Sequence, residues 1–164
     1  MLTHLHQFAI PAAYAVLPPA MASPRATAML LAIALQESRC RHRRQMGGGP
    51  ARGLYQFERN GGTAGVIVHP TTRPIIGAAL QALCYPVFLD ACFSAIEHND
   101  VLASAFARCL LWTDPAPLPG ADDPAAGWAL YLRTWRPGRP HETTWRDHFQ
   151  SAWQVVDSPI MERN

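Results

Sequence analysis

Glu37 is the acid whose setting departs furthest from that of a solvated surface carboxylate. Leu30, Ile33 and Glu37 follow i, i+3, i+7 spacing, which puts them on one face of a helix. A carboxyl on such an apolar stripe loses hydration of its charged form, and its pKa rises. A group of that kind stays protonated near neutral pH and can hand its proton to a leaving oxygen. The competing outcome is an ion pair with Arg41 at i+4, which would keep Glu37 ionised.

Several other chemistries drop out on residue types alone. All fourteen basic residues are arginine, so the chain has no Schiff-base lysine, no Ser-Lys dyad and no phosphate-loop lysine. The seven histidines include no H-E-x-x-H, and the four cysteines form no C-x-x-C pair. No G-x-S-x-G elbow is present, and no Lys-Ser/Thr follows Gly47-Gly48-Gly49. No metal and no cofactor is therefore expected. Cys40, Cys84, Cys92 and Cys109 read as free thiols.

A second motif follows Glu37-Ser38. The chain runs Ala51-Arg52-Gly53-Leu54-Tyr55-Gln56-Phe57, with nineteen residues from Glu37 to Gln56. The pair of motifs resembles the lysozyme-like superfamily, in particular the goose-type lysozyme and soluble lytic transglycosylase pattern. There a Glu-Ser at a helix end precedes Ala-x-Gly-Leu-x-Gln at a similar separation. The resemblance implies a single lysozyme-like domain over 1–164 that cleaves the glycan strand of peptidoglycan, as a muramidase or a lytic transglycosylase. Glu37 would be the general acid and Ser38 would help position an N-acetyl group. Gly53 and Leu54 would form the close wall of the sugar groove, with Tyr55 in the same substrate-binding stretch and Gln56 a polar contact in the cleft. A glycine lets backbone approach a sugar ring, and a glutamine offers both donor and acceptor.

The family's downstream Tyr-Asn-Ala-Gly element is absent. In the corresponding late position stand Trp128, Tyr131 and Trp135, spaced to share one helix face. That stripe reads either as core or, at Tyr131, as a hydroxyl bonded to the catalytic carboxyl. Glu58 is a candidate second carboxylate that could activate water, or else a surface acid beside Arg59. A chitinase-like glycosidase using Glu37 and Glu58 is thus the alternative enzyme. A non-catalytic phage structural protein of the same fold is the alternative outside enzymology. The Glu-x8-Asp-x5-Thr arrangement of T4-type lysozymes is excluded, because the ninth residue past Glu37 is Met46.

The elements that must hold these groups are mainly α. Helices are expected over 8–17, 25–43, 75–84, 86–96, 99–112, 123–135 and 143–155, with Ser23 as an N-cap and Pro24 behind it. Residues 50–74 are rich in Gly, Pro, Thr and Asn and read as irregular structure with a small hairpin around Gly61-Gly62.

A net charge of +2 does not match a dedicated nucleic-acid module. Arg39, Arg41, Arg43, Arg44 and Arg52 crowd together, either as a solvated helix end or as an attraction for an anionic polymer. No membrane span and no convincing signal peptide is read, since Pro11, Pro18 and Pro19 interrupt the apolar start. The expected setting is a phage or prophage protein made in the cytoplasm, virion-associated and acting on the cell wall. Its expected partners are peptidoglycan and phage virion proteins.

Overall fold

Ser23 and Pro24 open the helix around which the rest is arranged. The Ser23 hydroxyl accepts from the Ala26 N–H at 3.1 Å, and Pro24 starts the helix where no N–H is needed. The computed structural model describes residues 1–158, and among these the chain is mainly helical with no strand. In chain order come α1 (Leu2–His4), a π-helical turn (Leu5–Ala9), α2 (Ile10–Ala15), a 3₁₀ turn (Pro19–Met21) and α3 (Pro24–Ser38). A second π turn (Arg59–Thr63) leads into α4 (Ala64–Val68) and α5 (Arg73–Ala82). Then follow α6 (Leu89–His98), α7 (Asp100–Trp112), α8 (Pro124–Trp135) and α9 (Glu142–Asp157). Among the described residues no helix is long and apolar enough to cross a membrane.

Two helices are central. In α3 every residue from Ala28 to Ala34 is buried, and in α7 every residue from Leu102 to Cys109. A helix buried on all sides needs apolar character all round, not one stripe. Alanine supplies that here, letting neighbours pack close while keeping helix propensity. α9 packs along α3, α2 and α5 against α7, and Phe106, Phe149, Leu54 and Tyr55 fill the space between.

The boundaries depart from expectation where backbone details decide. The first helical stretch starts at Leu2 and carries a π turn. Pro11 has no N–H to give the carbonyl four residues back, and the helix widens just ahead of it. α3 stops at Ser38, because Arg39 and Cys40 both take left-handed backbone (φ 53° each) and Cys40 N–H returns to Ala34 O. The hairpin expected at Gly61-Gly62 is not formed; that stretch is helical, with a kink at Gly61. Gly62 is needed for packing instead, since a Cβ there would lie 2.7 Å from the Phe57 ring.

The arginine cluster is mostly structural. Arg43 grips Asp100 with two bonds of 2.6 and 2.7 Å, while Arg44 and Arg52 share Glu97 at 2.7 and 3.3 Å. Both acids are buried, at the junction of α6 and α7. These pairs tie the irregular 43–52 segment to the core. The cysteines are free thiols, with Cys84 exposed and the other three buried. Burial pushes the Cys40 and Cys109 thiols up to about 12, which makes them poor nucleophiles.

Candidate active site

The two sequence motifs meet through one hydroxyl. Ser38, the last residue of α3, donates to Leu54 O at 2.7 Å, with its own helix's Ala34 O at 3.0 Å as a second acceptor. The segment it reaches is a tight loop. Arg52 and Phe57 exchange backbone bonds of 2.9 and 2.8 Å, and Gln56 N–H closes onto Gly53 O. Closing that loop requires left-handed backbone at Gly53 (φ +73°) and Gln56 (φ +49°). Gly53 N–H also donates to Arg43 O at 2.8 Å, so the ion-paired segment carries the loop. Gln56 spends its amide protons holding His42 O and Gly53 O, at 3.1 and 2.8 Å. The Glu-Ser motif is thereby fixed against the Gly-Leu-x-Gln motif by short-range bonds. Replacing Ser38 by alanine leaves Leu54 O buried without its side-chain donor. S38A is expected to cost about 1–2 kcal/mol in urea unfolding.

Glu37 lies half-buried at the mouth of this junction. Tyr131, projecting from α8, donates its hydroxyl proton to Glu37 Oε1 at 2.6 Å. None of the ion pairs among the described residues involves Glu37, so the bond to Arg41 does not form. Burial raises the Glu37 pKa from 4.5 to about 7, against the opposing hydrogen bond from Tyr131, and the nearby Glu58 charge adds to the rise. The same burial, and then the Glu37 charge, drive the Tyr131 phenol upward, so it remains a donor.

Tyr131 is itself held by aromatic packing. Its ring stacks on Trp145 of α9 at 5.3 Å and 16°, and Trp128 lies 5.2 Å away. Trp135, one turn on, donates its indole N–H to Tyr55 O at 3.0 Å and packs against Phe57. The stripe therefore serves both readings. Trp128 and Tyr131 pack into the core, while the Tyr131 hydroxyl reaches the carboxyl. On the other side, Gln36 ties the end of α3 to α9 through His141 O at 2.9 Å, Thr144 and His148.

A cleft of about 1090 Å³ opens over Glu37, and Gln56, Glu58, Tyr131 and Trp135 line it with Glu37. Glu58 is exposed on its wall. Gly53, Leu54 and Tyr55 do not line the cleft, which corrects their expected contact with sugar. Gly53 packs against α6, Leu54 is wholly buried, and the Tyr55 hydroxyl pairs with Ser104 in the core at 3.1 Å. Ser38 borders the cleft but is 3% exposed, and its one proton is directed at backbone. That hydroxyl acts here as a lock between the two motifs.

Of a cationic rim on the cleft, the sequence cluster contained Arg39, while Arg136 and Arg139 were missed. Arg39, Arg136 and Arg139 line the cleft, are exposed, and enter none of the ion pairs among the described residues. Arg39 and Arg136 share a local signal, because each is a left-handed residue ending a helix. Their convergence from α3 and α8 has no sequence signature. No group of three or more His, Cys, Asp or Glu suited to a metal occurs among the described residues. No protein-family model, curated protein or solved structure matches the chain.

Proposed function

We propose that this protein cleaves glycosidic bonds in the glycan strand of peptidoglycan, with Glu37 as general acid. The observation that carries this reading is a carboxyl with its pKa lifted to about 7, facing an open cleft and held by a tyrosine hydroxyl. The motif resemblance to the lysozyme-like superfamily supports the same assignment, on the residues named above.

The chemistry follows from where the proton sits. Oε1 accepts from Tyr131, so the acidic proton belongs on Oε2, the oxygen left to face a bound chain. Donation to the bridging oxygen lets the C1–O bond break, and Glu37 is left as a carboxylate. The Tyr131 hydrogen bond then stabilises that anion. Either water or the sugar's own 6-hydroxyl adds to C1, and its proton returns to a carboxylate. The first route leaves a reducing end and the second a 1,6-anhydro end.

Glu58 favours a second version of the reading. It lies on the wall of the same cleft and its charge is felt at Glu37, as a base that activates water would be. On that version E58Q lowers hydrolysis as severely as loss of the acid. On the single-acid version E58Q lowers the Glu37 pKa and leaves most activity. The exposed arginines on the rim suit an anionic wall polymer, being permanently charged and capable of bidentate contacts.

Purified protein tested on sacculi from several bacteria decides between an enzyme and a non-catalytic phage structural protein. Release of soluble glycan is expected, and inertness on all of them favours the structural role. Y131F sharpens the test. Losing a hydrogen bond that stabilises the carboxylate raises the Glu37 pKa above about 7. The alkaline limb of the pH–rate profile is therefore expected to move to higher pH. The maximum rate falls roughly tenfold from lost positioning.

A further inference from the structure

Arg108 carries a charge that finds no anion among the described residues. It sits on α7, is 2% exposed, and pairs with no carboxylate among the described residues. Its Nε–H donates to Met21 O at 2.7 Å, and its guanidinium lies 4.7 Å over the Trp112 ring. Those contacts hold one edge and one face. Nη1 and Nη2 donate to nothing among the described residues, yet neither is among the sealed atoms that lack a partner. The small exposed part of Arg108 is therefore this terminal edge.

That edge meets a separate hollow. A depression of about 370 Å³ lies between the end of α7 and the 114–118 turn, with Ala20, Leu111, Trp112, Pro115 and Leu118 among its walls beside Arg108. Asp114, the one acid in its lining among the described residues, is already satisfied by Arg133 at 2.7 and 3.2 Å and by Ala116 N–H at 2.9 Å. It neither neutralises Arg108 nor presents a bare negative charge to a ligand. Arg25 bonds Leu118 O at 3.3 Å, which brings a second cation to the 114–118 turn.

A buried guanidinium without a counter-ion is costly, and two parallel N–H groups on one edge match the two oxygens of a carboxylate. The apolar side chains among its walls suit a short hydrocarbon body, while Ser23, which also lines it, already accepts from Ala26 N–H. We propose that this hollow binds a small carboxylate with a short apolar body, both oxygens held on the Nη1–Nη2 edge of Arg108. The site is distinct from the cleft and does not depend on the glycan reading. Its ligand is either a free monocarboxylate or the carboxyl-terminal residue of a peptide, since both present the same group.

The experiment uses the whole chain with propionate, N-acetylalanine and N-acetylalaninamide, read by calorimetric titration and thermal unfolding. Both acids, or N-acetylalanine alone, are expected to bind and raise Tm, while the amide does neither. Equal affinity for the two acids identifies a free carboxylate as the ligand, and tenfold tighter N-acetylalanine identifies a peptide terminus. R108M is expected to weaken acid binding at least tenfold while circular dichroism stays native. Because R108M touches the core, A20F provides a second variant. Ala20 is exposed at the rim, so a phenylalanine there fills the hollow without touching the charge. Binding of the amide as tight as the acid, no response to either acid, or undiminished binding in A20F overturns the proposal.

Discussion

E37Q is expected to lose glycan cleavage by roughly 10²- to 10⁴-fold, the contribution of a positioned general acid, while keeping its fold. Glutamine matches the carboxyl in shape and can still accept from Tyr131, but it has no acidic proton to give. The same substitution changes stability in a direction that a surface glutamate would not. The folded protein holds the Glu37 proton more tightly than the unfolded chain, with a pKa of about 7 against 4.5. Stability tied to this group is therefore full below pH 4.5 and falls as pH rises toward 7 and beyond. Over that window the wild-type protein should lose on the order of 3 kcal/mol that E37Q does not lose. Urea unfolding of both proteins at pH 4.5 and pH 8 checks this. The variant should gain on wild type as the pH rises, and parallel curves would mean that the carboxyl is not buried as described.

G53A should be the most damaging small substitution outside the catalytic group. Gly53 has a φ of +73°, which an L side chain adopts at a cost, and a Cβ there would lie 2.6 Å from Ile96 O. The obstacle is backbone of α6, so no rotamer change relieves it. A loss on the order of 3 kcal/mol or more follows from combining conformational strain with overlap. Because the loop also carries Gln56 and Phe57 into the cleft, cleavage should fall with stability. G48A, at a left-handed glycine with nothing within 4 Å, controls for strain alone and should cost far less. Guanidinium unfolding of the two variants makes the comparison.

The sequence was most informative where short spacing carries the physics. Leu30, Ile33 and Glu37 do lie along one helix that buries the carboxyl, and the spacing of Trp128, Tyr131 and Trp135 placed a hydroxyl and an indole toward one cleft. The helical character of the chain was equally legible, because alanine-rich periodic segments have few other stable forms. Distance along the chain hid the rest. Ser38 and Leu54 matched a motif, but only the fold reveals that the motif residues bond to each other. Arg43, Arg44 and Arg52 read as a solvated cluster because their partners, Glu97 and Asp100, lie some fifty residues away. Gly61-Gly62 imitated a hairpin turn, since a glycine required for close approach to Phe57 looks the same in sequence as one required for φ.

Glu37 as general acid implies that the bond cut is a glycosidic one. Mass spectrometry of fragments released from purified sacculi reads this without assuming a mechanism. Wild-type protein should release disaccharide-peptide units bearing either reducing or 1,6-anhydro muramic ends, with stem peptides intact, and E37Q should release none above background. Fragments cut within the peptides, or equal release of glycan by wild type and E37Q, would contradict the assignment of Glu37 as the acid that opens the glycan strand.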